Sequence, residues 1–208
     1  MMLIGQYDSP FVRRVGITLA LYGIPFEHRP WSVFGEGERI RVLNPLLRVP
    51  TLVLDDGEVL YDSYSIIDCL DDLVGPDKAL CPRSGPQRRR ILAVAALATG
   101  AAEKAVSLFY ELRLHEAVSA VWADRCSSQI LSAITALERD RAGRSTPYWS
   151  GTAMDHGDIA VAVALRFIME AHPDLLATED IPALAAHAAQ LEALPLFREI
   201  AQPFAPPA

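Results

Sequence analysis

Ser9 and Pro10 form the first of three short segments whose side chains can do chemistry. Pro10 suits the first position of a helix, so we expect Ser9 at the N-cap, where a hydroxyl ordinarily accepts a hydrogen bond from a backbone amide. The same helix N-terminus has free N–H groups and a partial positive charge, which stabilise bound anions, thiolates included. A hydroxyl there can also donate a hydrogen bond to a thiolate. The sequence leaves both roles of Ser9 open.

The second and third segments are Val49-Pro50-Thr51 and Asp62-Ser63. A proline before a strand usually marks only the strand boundary, but a cis peptide at Pro50 would leave the Val49 backbone free to pair with an extended ligand. Asp62 and Ser63 are equally open to two interpretations. They suit helix capping, or else the Ser63 hydroxyl and amide bind a ligand carboxylate while Asp62 faces a ligand ammonium group.

The elements that must position these segments lie in the first 78 residues. Short apolar runs predict strands, and apolar residues at helical spacing predict helices. Asp55-Asp56-Gly57 separates two of the runs and is typical of a hairpin turn. The order β-α-β-α-β-β-α indicates a small mixed α/β sheet. The predicted strands cover residues 2–7, 26–30, 51–54 and 58–61, and the predicted helices cover residues 10–22, 38–43 and 62–74.

The remainder of the chain has a different pattern. Residues 79–85 contain prolines, a serine and a glycine and predict a linker. Beyond the linker the pattern is helical almost throughout, so we expect an α/β domain over residues 1–78 joined to an all-α domain over residues 86–208. The predicted helices of the second domain cover residues 87–114, 116–142, 155–171, 181–191 and 196–201.

Composition disfavours several classes of partner. Among the 208 residues, 19 Lys and Arg stand against 26 Asp and Glu, and this net charge of −7 disfavours nucleic acid. Apolar runs fall short of the roughly 20 residues that span a membrane, and residues 1–9 lack a secretory-signal pattern. Three widely spaced cysteines suit a reducing compartment, and the five histidines lack metal-ligand spacing. We therefore expect a cytoplasmic protein without a metal or a membrane partner.

The order and spacing of these motifs resemble the thioredoxin-like half of the cytosolic glutathione transferases. The hexapeptide from Ser9 to Arg14 resembles the serine-type bacterial branch of that family. In the second half, the stretch from Gly151 to Ala160 is similar to the family's capping box before a buried helix, with Asp155 and Asp158 in structural roles. The resemblance implies a thioredoxin-like N-terminal domain followed by an all-helical C-terminal domain. The motifs that carry it are Ser9-Pro10, Asn44-Pro45, Val49-Pro50-Thr51-Leu52, Asp55-Asp56-Gly57 and Asp62-Ser63-Tyr64-Ser65-Ile66-Ile67.

The resemblance also implies a glutathione site. Ser9 would activate the thiol, with Tyr7 as the rival, and Val49 would pair with the cysteinyl backbone beside a cis-Pro50. Asp62 and Ser63 would hold the γ-glutamyl end. Arg48 is the first candidate for the glycyl carboxylate and Arg39 the second, although Leu47-Arg48 departs from the family's usual Gly followed by Lys or Gln. The implied glutathione-binding residues are Ser9, Phe11, Arg48, Val49, Pro50, Asp62 and Ser63.

The implied electrophile pocket lies between Ser9 and Phe11 and the first helix of the second half. Its candidate residues are Tyr7, Phe109, Tyr110 and Arg113, although an aromatic residue on a helix also suits a core. Arg13 and Arg14 are expected on a solvated or subunit-facing surface, with contact to a ligand as the less favoured alternative.

The resemblance favours a homodimeric glutathione transferase that activates the glutathione thiol and conjugates it to a small electrophile. The alternatives are glutathione-dependent isomerisation, dehalogenation or peroxide reduction, or a non-catalytic glutathione-binding module.

Overall fold

The computed structural model describes residues 1–177 and 179–206. They form two compact units, the first comprising Met1–Arg83 with the C-terminal segment that starts at Leu194, and the second comprising Ser84–Ala193. The first unit contains a small sheet and the second is helical, which confirms the predicted thioredoxin-like and all-helical domains. The predicted helical domain ends at residue 208, so residues 178, 207 and 208 of it lie outside the described residues.

A four-stranded sheet organises the first unit, with strand order β2-β1-β3-β4. β1 runs parallel to β2 and antiparallel to β3, and β3 and β4 form an antiparallel hairpin. Gly57 in the hairpin turn has φ 91°, a conformation that favours glycine. The predicted strands are confirmed, although each is shorter than expected. The strands are β1 (Met2–Ile4), β2 (Glu27–Arg29), β3 (Thr51–Val53) and β4 (Val59–Tyr61).

The helices agree closely with the apolar periodicity. Leu3 and Leu52 from the sheet pack with apolar side chains of α1 and α3 to form the core of the first unit. In the second unit, α4 packs against α5 and α6, and α7 packs against α5 and α6. The helices are α1 (Pro10–Leu21), α2 (Gly37–Leu43), α3 (Ser63–Val74), α4 (Gly85–Leu114), α5 (Ala120–Ala142), α6 (His156–Ala171), α7 (Pro182–Glu192) and α8 (Pro195–Glu199).

The start of α6 has the predicted capping box. Asp155 Oδ1 accepts hydrogen bonds from the backbone N–H groups of Gly157 (2.7 Å) and Asp158 (3.3 Å). Asp158 Oδ2 accepts one from Asp155 N (2.8 Å), and its Oδ1 accepts another from Trp149 N (2.7 Å). The two carboxylates therefore satisfy the helix N-terminus and anchor the loop before it.

α5 starts at Ala120, four residues later than the sequence predicts. The reason is a polar turn before the helix. Ser119 N donates to Glu111 Oε1 (2.6 Å), and Ser119 Oγ accepts from Trp122 N (3.4 Å). This pair of bonds sets the N-cap at Ser119.

Arg13 and Arg14 are buried, so the expectation that they lie on a surface is wrong. Their exposed fractions are 3% and 1%. Arg13 Nε donates to the Ile200 carbonyl (2.7 Å) and Arg13 Nη2 to the Phe197 carbonyl (2.8 Å). These bonds explain why the segment from Leu194 groups with the first unit, whereas the sequence places it in the helical domain.

Among the described residues, α4 alone is long and apolar enough to cross a membrane. Half of its most apolar stretch is buried inside the protein, where it packs against α5 and α6. Such burial is typical of a core helix.

Candidate functional site

One edge of the sheet brings the three predicted segments together. Ile4 at the end of β1 pairs with Thr51 at the start of β3, and Thr51 also pairs with Tyr61 at the end of β4. The residues that follow β1, precede β3 and follow β4 therefore leave the sheet at the same edge. These are the segments that contain Ser9, Val49-Pro50 and Asp62-Ser63.

Gly5 allows two of these segments to approach closely. A Cβ atom at this position would lie 2.5 Å from Val12 Cγ2 and 2.8 Å from Val49 Cβ, closer than carbon atoms can pack. Its φ of +126° also favours glycine. Val49 and the first turn of α1 can therefore both pack against residue 5 only because glycine has no side chain.

Ser9 is the N-cap of α1, as the sequence predicts. Its Oγ accepts a long hydrogen bond of 3.4 Å from Val12 N. Because the hydroxyl acts as an acceptor there, its own hydrogen is still available for donation. The observed cap is therefore compatible with a second bond from Ser9 to a ligand. Phe11, two residues further on, is half-buried.

Tyr7 lies in a different environment. Its ring stacks on His28, with 3.9 Å between the ring centroids, and packs over Gly16 of α1. Burial, with the negative charge of Glu199, raises the pKa of Tyr7 to about 12. The Tyr7 hydroxyl therefore stays protonated near neutral pH.

The Val49–Pro50 peptide is cis, which confirms the prediction. The loop that carries it is held by Asn44, a buried residue that follows the predicted helix over residues 38–43 and belongs to one of the motifs of the resemblance. Asn44 Nδ2 donates to the Arg48 carbonyl (2.9 Å) and to Thr51 Oγ1 (3.0 Å), and Asn44 Oδ1 accepts from Leu46 N (2.9 Å). A single side chain thus joins both ends of the loop.

Asp62 and Ser63 form the start of α3. Asp62 has φ 66°, unusual for a residue with a side chain, and its Oδ1 accepts a hydrogen bond from Tyr64 N (2.8 Å). Ser63 is 3% exposed, and its Oγ lies 3.3 Å from Arg14 Nη1. Sequence reasoning did not identify Ser63 as the partner of Arg14, because residues of α1 and α3 come together only in the folded chain.

The two arginines proposed for a glycyl carboxylate have different surroundings. Arg39 on α2 lies over the Trp31 ring, 5.8 Å from its centroid, and lines a cavity of about 560 Å³ with Arg41 and Leu47. Arg48 is exposed and is not among the described residues that line this cavity.

The remaining candidates lie on α4 in the second unit. Phe109 makes edge-to-face contacts with Tyr110 (6.1 Å between centroids) and with His172 (6.4 Å). Tyr110 and Arg113 are exposed. A larger depression of about 1310 Å³ runs along α5 and contains none of the predicted site residues. Within residues 1–177 and 179–206, no group of three or more His, Cys, Asp or Glu side chains could hold a metal ion.

Comparisons with known proteins agree with both units. Residues 3–78 match the N-terminal domain of glutathione S-transferases, and residues 120–190 match their C-terminal domain. Maleylacetoacetate isomerase from Pseudomonas aeruginosa is 37% identical over 102 residues, which cover 47% of this chain and 48% of the isomerase. The chain thus spans about half the length of this curated relative.

Two solved structures cover nearly the whole chain. A glutathione S-transferase from Methylobacterium radiotolerans, in complex with glutathione sulfonate, has a TM-score of 0.87 and 28% identity, covering 100% of this chain and 98% of that one. A glutathione transferase family member from Pseudomonas fluorescens, with bound glutathione, has a TM-score of 0.82 and 32% identity. The match covers 98% of this chain and 99% of that one. Both domains match the family, and a family member is 32% identical over 98% of this chain. The chain therefore belongs to the glutathione S-transferase family.

Proposed function

We propose that the protein binds glutathione and activates its thiol for attack on a small electrophile, in the manner of the serine-type bacterial branch. The observation that carries this proposal is the register of β1, β3 and β4, which directs the Ser9, Val49 and Ser63 segments to one edge of the sheet. Two structures with bound glutathione or its sulfonate, similar over nearly the whole chain, support the choice of ligand.

Glutathione would bind along this edge as an extended peptide. The backbone of Val49 pairs with the cysteinyl residue, and the N-terminus of α3 receives the γ-glutamyl end. There, the Ser63 hydroxyl meets the carboxylate and Asp62 faces the ammonium group. The cavity beside Arg39 supports this residue as a partner of the glycyl carboxylate. Arg48, which is exposed and does not line the cavity, is the other candidate.

Ser9 would stabilise the bound thiolate. The thiol proton passes to solvent, and the sulfur accepts hydrogen bonds from the Ser9 hydroxyl and the start of α1. Lowering the pKa of a thiol from roughly 8.5 by about two units requires about 2.7 kcal/mol, which a charge-assisted hydrogen bond and a helix N-terminus can supply together. The thiolate then forms a bond to the electrophilic carbon. Either a leaving group such as halide departs with its bonding electron pair, or a conjugated double bond opens and takes up a proton from solvent. Holding the two reactants close lowers the barrier further.

Glutathione-dependent isomerisation is the second candidate. The likeness to a maleylacetoacetate isomerase at 37% identity favours it specifically. In that reaction the thiolate would add to a conjugated double bond and leave again after rotation about the carbon–carbon bond, so that glutathione is regenerated. The same thiolate site would serve both reactions.

Calorimetry and a substrate panel test the proposal. We expect the protein to bind glutathione at millimolar or lower concentration, and no binding at that concentration would reject the proposed site. Purified protein is then given glutathione with an aryl halide or with a cis-enedioic acid. Loss of glutathione with formation of a thioether supports transfer, whereas cis-to-trans conversion without loss of glutathione supports isomerisation.

A further inference from the structure

Arg14 on α1 places a cation inside the first unit, beside the start of α3. The residue is 1% exposed, and its guanidinium carbon lies 4.7 Å from the centroid of the Tyr64 ring. Nη1 lies 3.3 Å from Ser63 Oγ, while Nε has no hydrogen-bond partner among the described residues. A buried cation with an unused donor disfavours folding. Stability alone therefore does not explain why this position is an arginine.

Burial and the neighbours of Arg14 act on its pKa in opposite directions. Burial lowers the pKa of the Arg14 guanidinium, whereas Tyr64 and the negative charge of Asp62 act in the opposite direction. Arginine has hydrogen-bond donors and no acceptor, so Ser63 Oγ must accept in this contact. A serine hydroxyl has a single hydrogen, and the contact with Arg14 leaves it available to a third group.

The group that suits this arrangement is an anion. Ser63 occupies the first position of α3, a helix of 12 residues, where the backbone favours negative charge. A cation behind the hydroxyl polarises its O–H bond and strengthens donation to an acceptor in front. Arg13, the preceding residue, is directed instead to the carbonyl groups of Phe197 and Ile200.

We propose that Arg14 is a positioning residue for a ligand carboxylate, acting through Ser63. Arg14 donates a hydrogen bond to Ser63 Oγ, and this bond orients the hydroxyl hydrogen of Ser63 toward a carboxylate at the start of α3. This inference rests on the proposed function, in which the carboxylate is the α-carboxylate of the γ-glutamyl residue of glutathione.

The test compares two ligands that differ only in this carboxylate. Calorimetry is performed with glutathione and with the analogue whose γ-glutamyl residue is replaced by γ-aminobutyryl. We expect Arg14→Met to weaken binding of glutathione about tenfold, the loss of one charge-assisted hydrogen bond, and binding of the analogue less than about twofold. Arg14→Lys, which keeps a donor and the charge, should recover part of the loss. Arg13→Met is the matched control, and we expect it to change the affinity for both ligands by the same small factor.

The same experiment separates this inference from the proposed function. If the native protein binds glutathione but Arg14→Met and Arg14→Lys weaken both ligands equally, the role of Arg14 is overturned and the glutathione site stands. A folded native protein that binds neither ligand rejects both.

A Ser63→Ala background provides a second arm in case Arg14→Met does not fold. Because Arg14 acts through Ser63, Arg14→Lys should weaken glutathione binding in the native background and cause no further loss with Ser63→Ala. Additive losses would overturn the inference.

Discussion

Ser9 and Ser119 are two helix caps with the same geometry, and they allow capping to be separated from catalysis. In each, the serine Oγ accepts a hydrogen bond of 3.4 Å from the amide three residues on, at the start of α1 and of α5 respectively. Replacing either serine by alanine removes this bond, at a cost of about 0.5–2 kcal/mol in the free energy of unfolding. Only Ser9 adjoins the sheet edge that carries the proposed glutathione site.

We expect Ser9→Ala to raise the pKa of the bound thiol while leaving the affinity for glutathione nearly intact. Turnover at neutral pH should fall about tenfold for each 1.36 kcal/mol of lost thiolate stabilisation. Thiolate absorbance of bound glutathione, followed against pH, measures the effect, and Ser119→Ala should lose stability without changing the thiol pKa. An identical thiol pKa in the native protein and in Ser9→Ala would leave Ser9 as a cap only. Tyr7→Phe would then be the variant to titrate.

At the scale of elements, the loop from Asn44 to Thr51 depends on one buried amide. Asn44→Ala removes the hydrogen bonds to Arg48, Leu46 and Thr51 and leaves only the bond from Thr51 Oγ1 to the Arg48 carbonyl (3.1 Å) between these groups. We expect a loss of about 2–3 kcal/mol in the free energy of unfolding, together with weaker glutathione binding because the Val49 backbone is no longer held. Chemical denaturation and calorimetry measure the two effects. Leu46→Ala, at an exposed position of the same loop, should change neither, and unchanged affinity in Asn44→Ala would contradict the role given to this loop.

The two carboxylates at the start of α6 should respond in opposite ways to neutralisation. Burial, and then the negative charge of Asp158, raises the pKa of Asp155. A group whose pKa is raised on folding supports the folded state while protonated, and that support is lost as pH rises through the raised pKa. Asp155→Asn should therefore be neutral or stabilising at neutral pH, since its Oδ1 alone accepts both cap bonds.

Asp158→Asn should be destabilising by about 1–3 kcal/mol, because its two oxygens accept from different amides, those of Trp149 and Asp155. Urea denaturation of both variants between acidic and neutral pH measures the contrast, and Asp155→Asn should show the weaker pH dependence. If both variants lost the same free energy of unfolding at neutral pH, Asp155 would not be the carboxylate whose ionisation disfavours the folded state.

Much of this architecture could be predicted because its signals are local. Ser9-Pro10 and the Asp155–Asp158 box combine a capping side chain with an apolar period, and both fall where the sequence indicates. The contacts that escaped prediction join residues far apart in the chain. Arg14 and Ser63 are 49 positions apart, and Arg13 and Ile200 are 187 positions apart. An arginine on a predicted helix suits solvent unless its distant partner is known, so the sequence favours a surface position for both cations.

At the scale of the whole molecule, Arg13 links the two ends of the chain. Its guanidinium donates to the carbonyl groups of Phe197 and Ile200 at the end of α8. The guanidinium carbon of Arg13 lies 5.8 Å from the centroid of the Phe197 ring. A cation at the carboxyl end of a helix is electrostatically favourable. The C-terminal segment is therefore part of the unit that carries the proposed glutathione site, even though the sequence separates them by the entire helical unit.

We predict that two copies of the chain associate, since the family resemblance implies a homodimer. Large apolar side chains are exposed in both units, for example Leu73 (55%) and Val121 (82%). Burying such a side chain at an interface contributes about 1.5–3 kcal/mol. We expect sedimentation equilibrium at micromolar concentration to give twice the chain mass of 22.8 kDa. Because apolar burial is insensitive to screening, the mass should persist when salt is raised, whereas dissociation by salt would indicate association through charged side chains. A mass equal to one chain at both salt concentrations would refute the dimer.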